Sequence, residues 1–240
     1  MIKSKEETGL MKDIAKYSDF AVKIVAESVQ EGVSELEIVG KVTLETLSKM
    51  ARELKEIDGS MPVWVKVFAG PRTAFPHAFS TTSKVKKGDV ILTVVITRAY
   101  GYTCGEIART LFFGKPTEEQ KKIYETALKG MALMVNAMKP GATCSDVDRV
   151  KHEYLVGSGY GDYIPTKGGA LRGLESRDDV YLCEVDQTVL KPTMTFFIGS
   201  GICIPGNGGY RLGDMVLVTE KGCESLQRFP SDIESVTIEA

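Results

Sequence analysis

Proton transfer near neutral pH falls most readily to histidine, and this chain has only two, His77 and His152. His77 follows Pro76 in a segment between apolar Phe75, Ala78 and Phe79. Taken alone it reads as a structural or surface histidine before it reads as an acid/base. His152 stands between Lys151 and Glu153 on a predicted helix, which puts it at the surface. A second group of chemistry-bearing side chains lies in "TKGGALRGLESRDD" (166–179), where a glycine turn runs into Arg177 and Asp178. Nothing after its glycines supplies the partners of a phosphate loop. A solvated Arg177–Asp178 ion pair and an anion-holding arginine both stay open. Glycine-rich "PGNGGY" (205–210) also lacks the Lys-Ser/Thr of a phosphate loop and reads as a hairpin turn. The five cysteines are odd in number and widely spaced, with no CxxC pair, so reduced thiols are expected. Cys104 has no neighbouring base in sequence and reads as a small buried hydrophobe.

The elements that must position these residues repeat along the chain. Ser4 with Glu7 and Ser34 with Glu37 form two capping boxes, each opening a helix, the second running to about Leu54. Leu10, Met11, Ile14, Ala15, Ala21, Val22 and Val25 recur at helical spacing behind the first. Thr117 with Gln120 and Thr143 with Asp146 do the same in the second half. Strand-like sequence follows each helix pair: 63–70, 88–102 and 106–114, then 193–206 and 209–219. The halves, about 1–115 and 116–240, therefore read alike. They predict a single α/β domain over 1–240, with the strands merged into a curved antiparallel sheet, helices outside and a site where the halves meet.

Composition narrows the function classes. Hydrophobic residues at 43% and charged residues at 26% suit a soluble globular chain. A formal net charge of −2 gives no general attraction to nucleic acid or anionic membrane. The polar N-terminus and the lack of an 18-residue apolar run argue against a secretory signal or membrane span, so a cytoplasmic location is expected.

Two long segments carry a family resemblance. "GPRTAFPHAFSTTSKVKKGDVIL", followed by "GYTCGEIARTLFFGKPTEEQKKIYETALKGMALMVNAMKPGATCSDVD", resembles the catalytic domain shared by methionine aminopeptidases, prolidase, aminopeptidase P and creatinase. "GLESRDD" and "LKPTMTFFIGSGICIPGNGGYRLGDMVLVTEKGCESL" continue it in register, so that nearly the whole chain is covered. The resemblance implies the duplicated "pita-bread" α/β fold, without the N-terminal domain usual in prolidase-like and creatinase-like chains. It also implies a homodimer.

In the metallopeptidases of that family, two aspartates (the second sometimes glutamate), one histidine and two glutamates hold two divalent ions. The matching positions here are Val94, Glu106, Ala170, Gly199 and Gly213. An extra residue between Gly101 and Arg109 leaves the register of Glu106 open. Valine, alanine and glycine donate no side-chain electron pair, so the resemblance does not carry a metal pair over, and no cofactor is expected.

Creatinase, which works without metal, resembles this chain at two informative points. Its acid/base histidine lies in the segment matching "TAFPHAFST", which implies His77. Its carboxylate-holding arginine lies in the segment matching "GLESRDD", which implies Arg177. A neutral imidazole accepts a proton from water and returns one to a leaving nitrogen, and a guanidinium holds a carboxylate through paired N–H···O bonds. Glu106, Asp178 and Arg211 complete the expected substrate-binding set, although Arg211 with Asp214 reads equally as an interior structural pair, and Arg109 as support for a sheet-to-helix corner. The glutamates that grip creatine's guanidinium correspond to Ala108 and Leu212, and Thr166 replaces a histidine, so creatine itself is not the expected substrate. The expected function is a metal-independent, creatinase-like C–N hydrolase acting on a small carboxylate-bearing molecule. The alternatives are a catalytically inactive binding protein for a peptide or protein, and an aminopeptidase or Xaa-Pro dipeptidase-like metallohydrolase with an atypical site.

Overall fold

The structure is a computed structural model and describes residues 2–55, 62–174 and 179–240. Four long helices start at the four predicted caps. Helix α1 (Lys5–Ser28) follows Ser4, α2 (Glu35–Glu53) follows Ser34, α3 (Glu118–Ala137) follows Thr117 and α4 (Cys144–Gly157) follows Thr143. In each, the cap hydroxyl accepts from the backbone N–H three residues on, while the side chain there accepts from the cap N–H. Each box thus satisfies two donors that a helix start leaves without partners.

The described strands form one nine-stranded sheet. The first half supplies β1 (Val63–Ala69), β2 (Val90–Ala99) and β3 (Tyr102–Phe113). The second supplies short β4 (Gly169–Leu171) and β5 (Tyr181–Leu182), then long β6 (Thr195–Ile204) and β7 (Gly208–Val218). The order is β1-β2-β3-β7-β6-β4-β5, with β8 (Cys223–Ser225) on β7 and β9 (Thr237–Ile238) running parallel beside β3. Tyr100 and Gly101 both take positive φ between β2 and β3, the backbone that a tight two-residue hairpin requires. "PGNGGY" spans the β6–β7 hairpin turn and the start of β7, as its glycines predict.

The buried stripe of α1 (Met11, Ile14, Ala15, Ser18, Ala21, Val22, Val25) packs on β2 and β3, and α3 packs on β6 and β7. Apolar residues of both halves close the interior: Ile91, Leu111 and Phe196 are fully buried, each contributing about 1.5–3 kcal/mol by leaving water. The halves meet where β3 lies against β7 at Ala108 and Gly213. That contact joins a continuous row across five strands: Lys66, Val94, Ala108, Gly213 and Gly199. Directly opposed residues share a sheet face, so three of the five positions singled out by the family resemblance (Val94, Gly213 and Gly199) stand in one row, with Ala108 between the first two.

Candidate active-site cavity

A cavity opens on that face in two connected lobes of about 360 and 380 Å³, a size suited to a small molecule. His77, Glu106, Arg172 and Arg211 line both lobes. Trp64, Lys66, Val94 and Arg98 belong to the first, while Thr166, Lys167, Ala170, Tyr181 and Phe197 belong to the second.

The loop that presents His77 is fixed by a carboxylate outside the cavity. Glu35, fully buried at the first turn of α2, accepts from the backbone N–H of Ala69 (3.0 Å) and Thr81 (2.7 Å), and from the Thr81 hydroxyl (3.0 Å). It also takes Arg72 Nε at 3.3 Å, and Arg72 Nη2 donates to the carbonyl of Phe79 at 2.9 Å. The root of the loop rests on β7. Thr73 Oγ1 accepts from Gly209 N–H at 2.7 Å, and a Cβ at Gly209 would come within 2.0 Å of the Thr73 carbonyl oxygen. Both ends of the segment are therefore tied down, and His77 stands exposed between them at the cavity rim.

Glu106 projects from β3 into the cavity and is 7% exposed. Arg172 Nε donates to its Oε2 at 2.6 Å, and Arg172 is itself 4% exposed. The Arg172 backbone is held in turn: its N–H donates to Thr195 O at 2.8 Å, and its carbonyl accepts from Thr195 Oγ1 at 2.7 Å. Its guanidinium lies 5.5 Å from the centre of the Phe197 ring. Burying such a pair is costly unless the geometry is close and further contacts satisfy it; the stacked ring and the Leu171 carbonyl (3.3 Å from Nη1) provide these.

Phe197 also decides what the remaining family positions can hold. A Cβ on Gly213 would approach its Cζ to 2.3 Å, and a Cβ on Gly199 its Cε1 to 3.3 Å. The ring fills the space where a side chain at Gly213 would start, and with the Leu212 carbonyl oxygen at 3.2 Å it crowds one at Gly199. Ala170, paired with Phe197 across β4 and β6, adds no donor, and Val94 presents only methyl groups. Two divalent ions repel one another unless several anionic ligands surround them. Glu106 is one carboxylate, already bound to a guanidinium. The residues present do not fit the family's metal pair.

Other expected residues resolve differently. Arg211 lines the cavity and does not pair with Asp214. Asp214 instead meets Arg109 at 2.8 Å, and Arg109 donates to the carbonyls of Gly213, Phe229 and Pro230. Arg109 therefore ties the C-terminal segment to the sheet; it does not support a sheet-to-helix corner. Ala108 and Leu212 are buried and apolar. Cys104 is buried away from the cavity, its Sγ 3.5 Å from the Tyr102 carbonyl, and burial pushes its thiol up to about 12. His152 is exposed on α4. Arg177 and Asp178 lie outside the described residues.

The sequence reading did not single out Arg172, Lys66, Arg98 or Lys167. A signal existed for the first two. Lys66 interrupts the apolar strand "VWVKVFA", and Arg172 sits between Leu171 and the glycine of "GLE", where charge is otherwise rare in a buried segment.

Comparison with known proteins agrees with this architecture. The chain is 34% identical over 229 residues to a Xaa-Pro dipeptidase of Pyrococcus furiosus, covering 95% of this chain and 63% of that protein. It is 32% identical to the putative dipeptidase YkvY of Bacillus subtilis, covering 97% and 62%. The solved structure of the prolidase from Pyrococcus furiosus superposes with a TM-score of 0.87 at 31% identity, over 95% of this chain and 66% of that one. The chain thus spans somewhat less than two thirds of the length of these curated relatives. A duplicated α/β fold of the prolidase kind and a family model matching residues 9–220 together show that the chain belongs to metallopeptidase family M24.

Proposed function

We propose that this M24 protein works without metal: it binds a small carboxylate-bearing molecule in the two-lobed cavity and hydrolyses a C–N bond in it. One observation supports this reading above the others. The cavity persists at the family's site, but its described lining holds five basic side chains and a single carboxylate, Glu106. A lone carboxylate already bound to Arg172 at 2.6 Å is a poor ligand set for divalent cations.

His77 is the described cavity residue fitted to move a proton at neutral pH. Water attacks the carbon of the C–N bond as His77 takes its proton. Negative charge then develops on the attacked group, within reach of the Arg172 and Arg211 guanidinium groups lining both lobes. Collapse breaks the C–N bond, and the imidazolium returns the proton to the leaving nitrogen. Glu106, bound to Arg172 at 2.6 Å, keeps that guanidinium in place.

The test is turnover by chelator-treated protein of a panel of N-acyl, amidino and cyclic amino acid derivatives. The expected result is hydrolysis of at least one compound, lost in His77→Ala with substrate binding retained. Turnover that survives His77→Ala contradicts the assignment. A second reading, a binding protein without catalysis, is favoured by the apolar Ala108 and Leu212 and by the Phe197 ring over Gly199 and Gly213. It predicts binding of the same carboxylates with no turnover in either protein.

A further inference from the structure

Arg172 lines both lobes and binds Glu106, yet it stands just past the end of β4 at Leu171 and just before Gly173. Glycine is the most permissive of residues, so the rigid peptide plane between Arg172 and Gly173 needs partners of its own to stay in one orientation. The structure supplies them from distant parts of the chain. The Arg172 carbonyl, which belongs to that plane, accepts from Thr195 Oγ1 at 2.7 Å and from the ammonium of Lys3. The Gly173 carbonyl accepts from the Thr103 N–H at 2.8 Å. Lys3 is 6% exposed, a burial that lysine tolerates only when it is paired.

Lys3 is itself held in place. It precedes Ser4, the cap of α1, whose capping box fixes the entry of the chain into the helix. The Lys3 N–H donates to the Thr193 carbonyl at 3.3 Å, and Glu7 of the same box accepts from the Tyr102 hydroxyl at the start of β3. We infer that Lys3 is a positioning residue for the cavity. It lines neither lobe; its ammonium fixes the Arg172–Gly173 peptide from behind, and so aims the Arg172 guanidinium at Glu106 and into the cavity. A charged donor makes a stronger bond than a hydroxyl, which makes Lys3 the firmer of the two side-chain restraints on that carbonyl. The consequence for ligand binding rests on the carboxylate reading above, whereas the placement of the guanidinium does not.

The experiment follows the arginine Nε–H signals of the full chain by NMR, with that of Arg172 assigned by through-bond correlation to its own backbone. In Lys3→Met, exchange of the Arg172 Nε–H with water is expected to quicken about tenfold or more. The Nε–H of Arg109, buried and bonded to the Pro230 carbonyl at 3.2 Å, is the internal control and is expected to keep its rate. Lys3→Gln, the milder change, is expected to fall between parent and Lys3→Met, and it decides the matter if Lys3→Met does not fold. An unchanged Arg172 rate overturns the inference. Equal acceleration at Arg172 and Arg109 does so too, because it gives Lys3 only a general part in stability. Acetate is then added to parent and variant, and is expected to move the Arg172 signal at a lower concentration in the parent. Acetate that leaves the parent's signal unmoved contradicts the carboxylate reading, while selective acceleration in Lys3→Met still upholds the role of Lys3.

Discussion

The ring of Phe197 stands where a side chain at Gly213 would have to grow, with its Cζ 2.3 Å from the position of a Cβ there. The two residues lie on neighbouring strands, β6 and β7, whose register pairs Gly213 with Gly199 and Phe197 with Met215. A side chain at Gly213 therefore has no room to start, because the space is packed. Overpacking a filled interior costs about 1–3 kcal/mol. Gly213→Ala is expected to lower the urea midpoint accordingly, and the paired change Gly213→Ala with Phe197→Leu to recover part of the loss. A Gly213→Ala protein as stable as the parent would show that the ring moves aside freely.

The Arg172–Glu106 pair yields a prediction about coupling. Removing one partner of a buried pair leaves a charge without compensation and costs about 3–5 kcal/mol. Arg172→Met and Glu106→Gln should each destabilise the chain strongly, and the double variant should lose clearly less than their sum, as measured by a denaturant double-mutant cycle. Additive losses would mean that the two side chains do not share their energy.

Glu35 holds the His77 loop from outside the cavity, through backbone groups of Ala69 and Thr81. Hydrogen bonds to a charged acceptor contribute about 1.5–3 kcal/mol each at best. Glu35→Ala is expected to destabilise the chain and to open 70–81 to limited proteolysis, while Glu35→Gln keeps part of the protection. A loop equally resistant in all three proteins would assign its order to other contacts.

The second capping box gives a pH dependence of known sign. The Ser34 hydroxyl first, then the Ser34 N–H and Lys84, hold the Glu37 carboxyl down to about 2. A group whose folded value is depressed stabilises above its ordinary value and loses that contribution as pH falls through the folded one. Glu37→Gln should therefore unfold at a lower temperature than the parent at about pH 6, and the difference should vanish on approaching pH 2. A difference that persists in acid would point to packing and away from charge.

Burial pushes the thiols of Cys104 and Cys144 up to about 12 and those of Cys203 and Cys223 up to about 11. At about pH 8 such groups are protonated and poor nucleophiles. A disulfide reagent should titrate at most one thiol in the native protein, the half-buried Cys223, and all five cysteines after unfolding. Rapid reaction of Cys104 in the native state would reopen a thiol mechanism.

Much of the architecture was legible because its signals are local. Each capping box needs four consecutive residues, and all four helices begin where Ser4, Ser34, Thr117 and Thr143 place them. Strands β2, β3, β6 and β7 follow from apolar runs bounded by turn residues. The cavity's electrostatics were not legible, since they arise from sequence-distant meetings. Arg172 reaches Glu106 across 66 positions, and Lys66 shares a row with Gly199 only through three intervening strands. The same cause hid the true partner of Asp214. Arg211 is its neighbour in sequence, whereas Arg109 is its neighbour across the join between β3 and β7.

The central claim is that a cation-lined cavity has replaced the family's metal centre as the place where ligand binds. It is tested most directly by the heat of binding of small carboxylates to chelator-treated protein, measured before and after addition of manganese. The expected result is saturable binding that manganese leaves unchanged and that Arg172→Met abolishes. Binding that appears only with manganese, accompanied by stoichiometric uptake of the ion, would contradict the account.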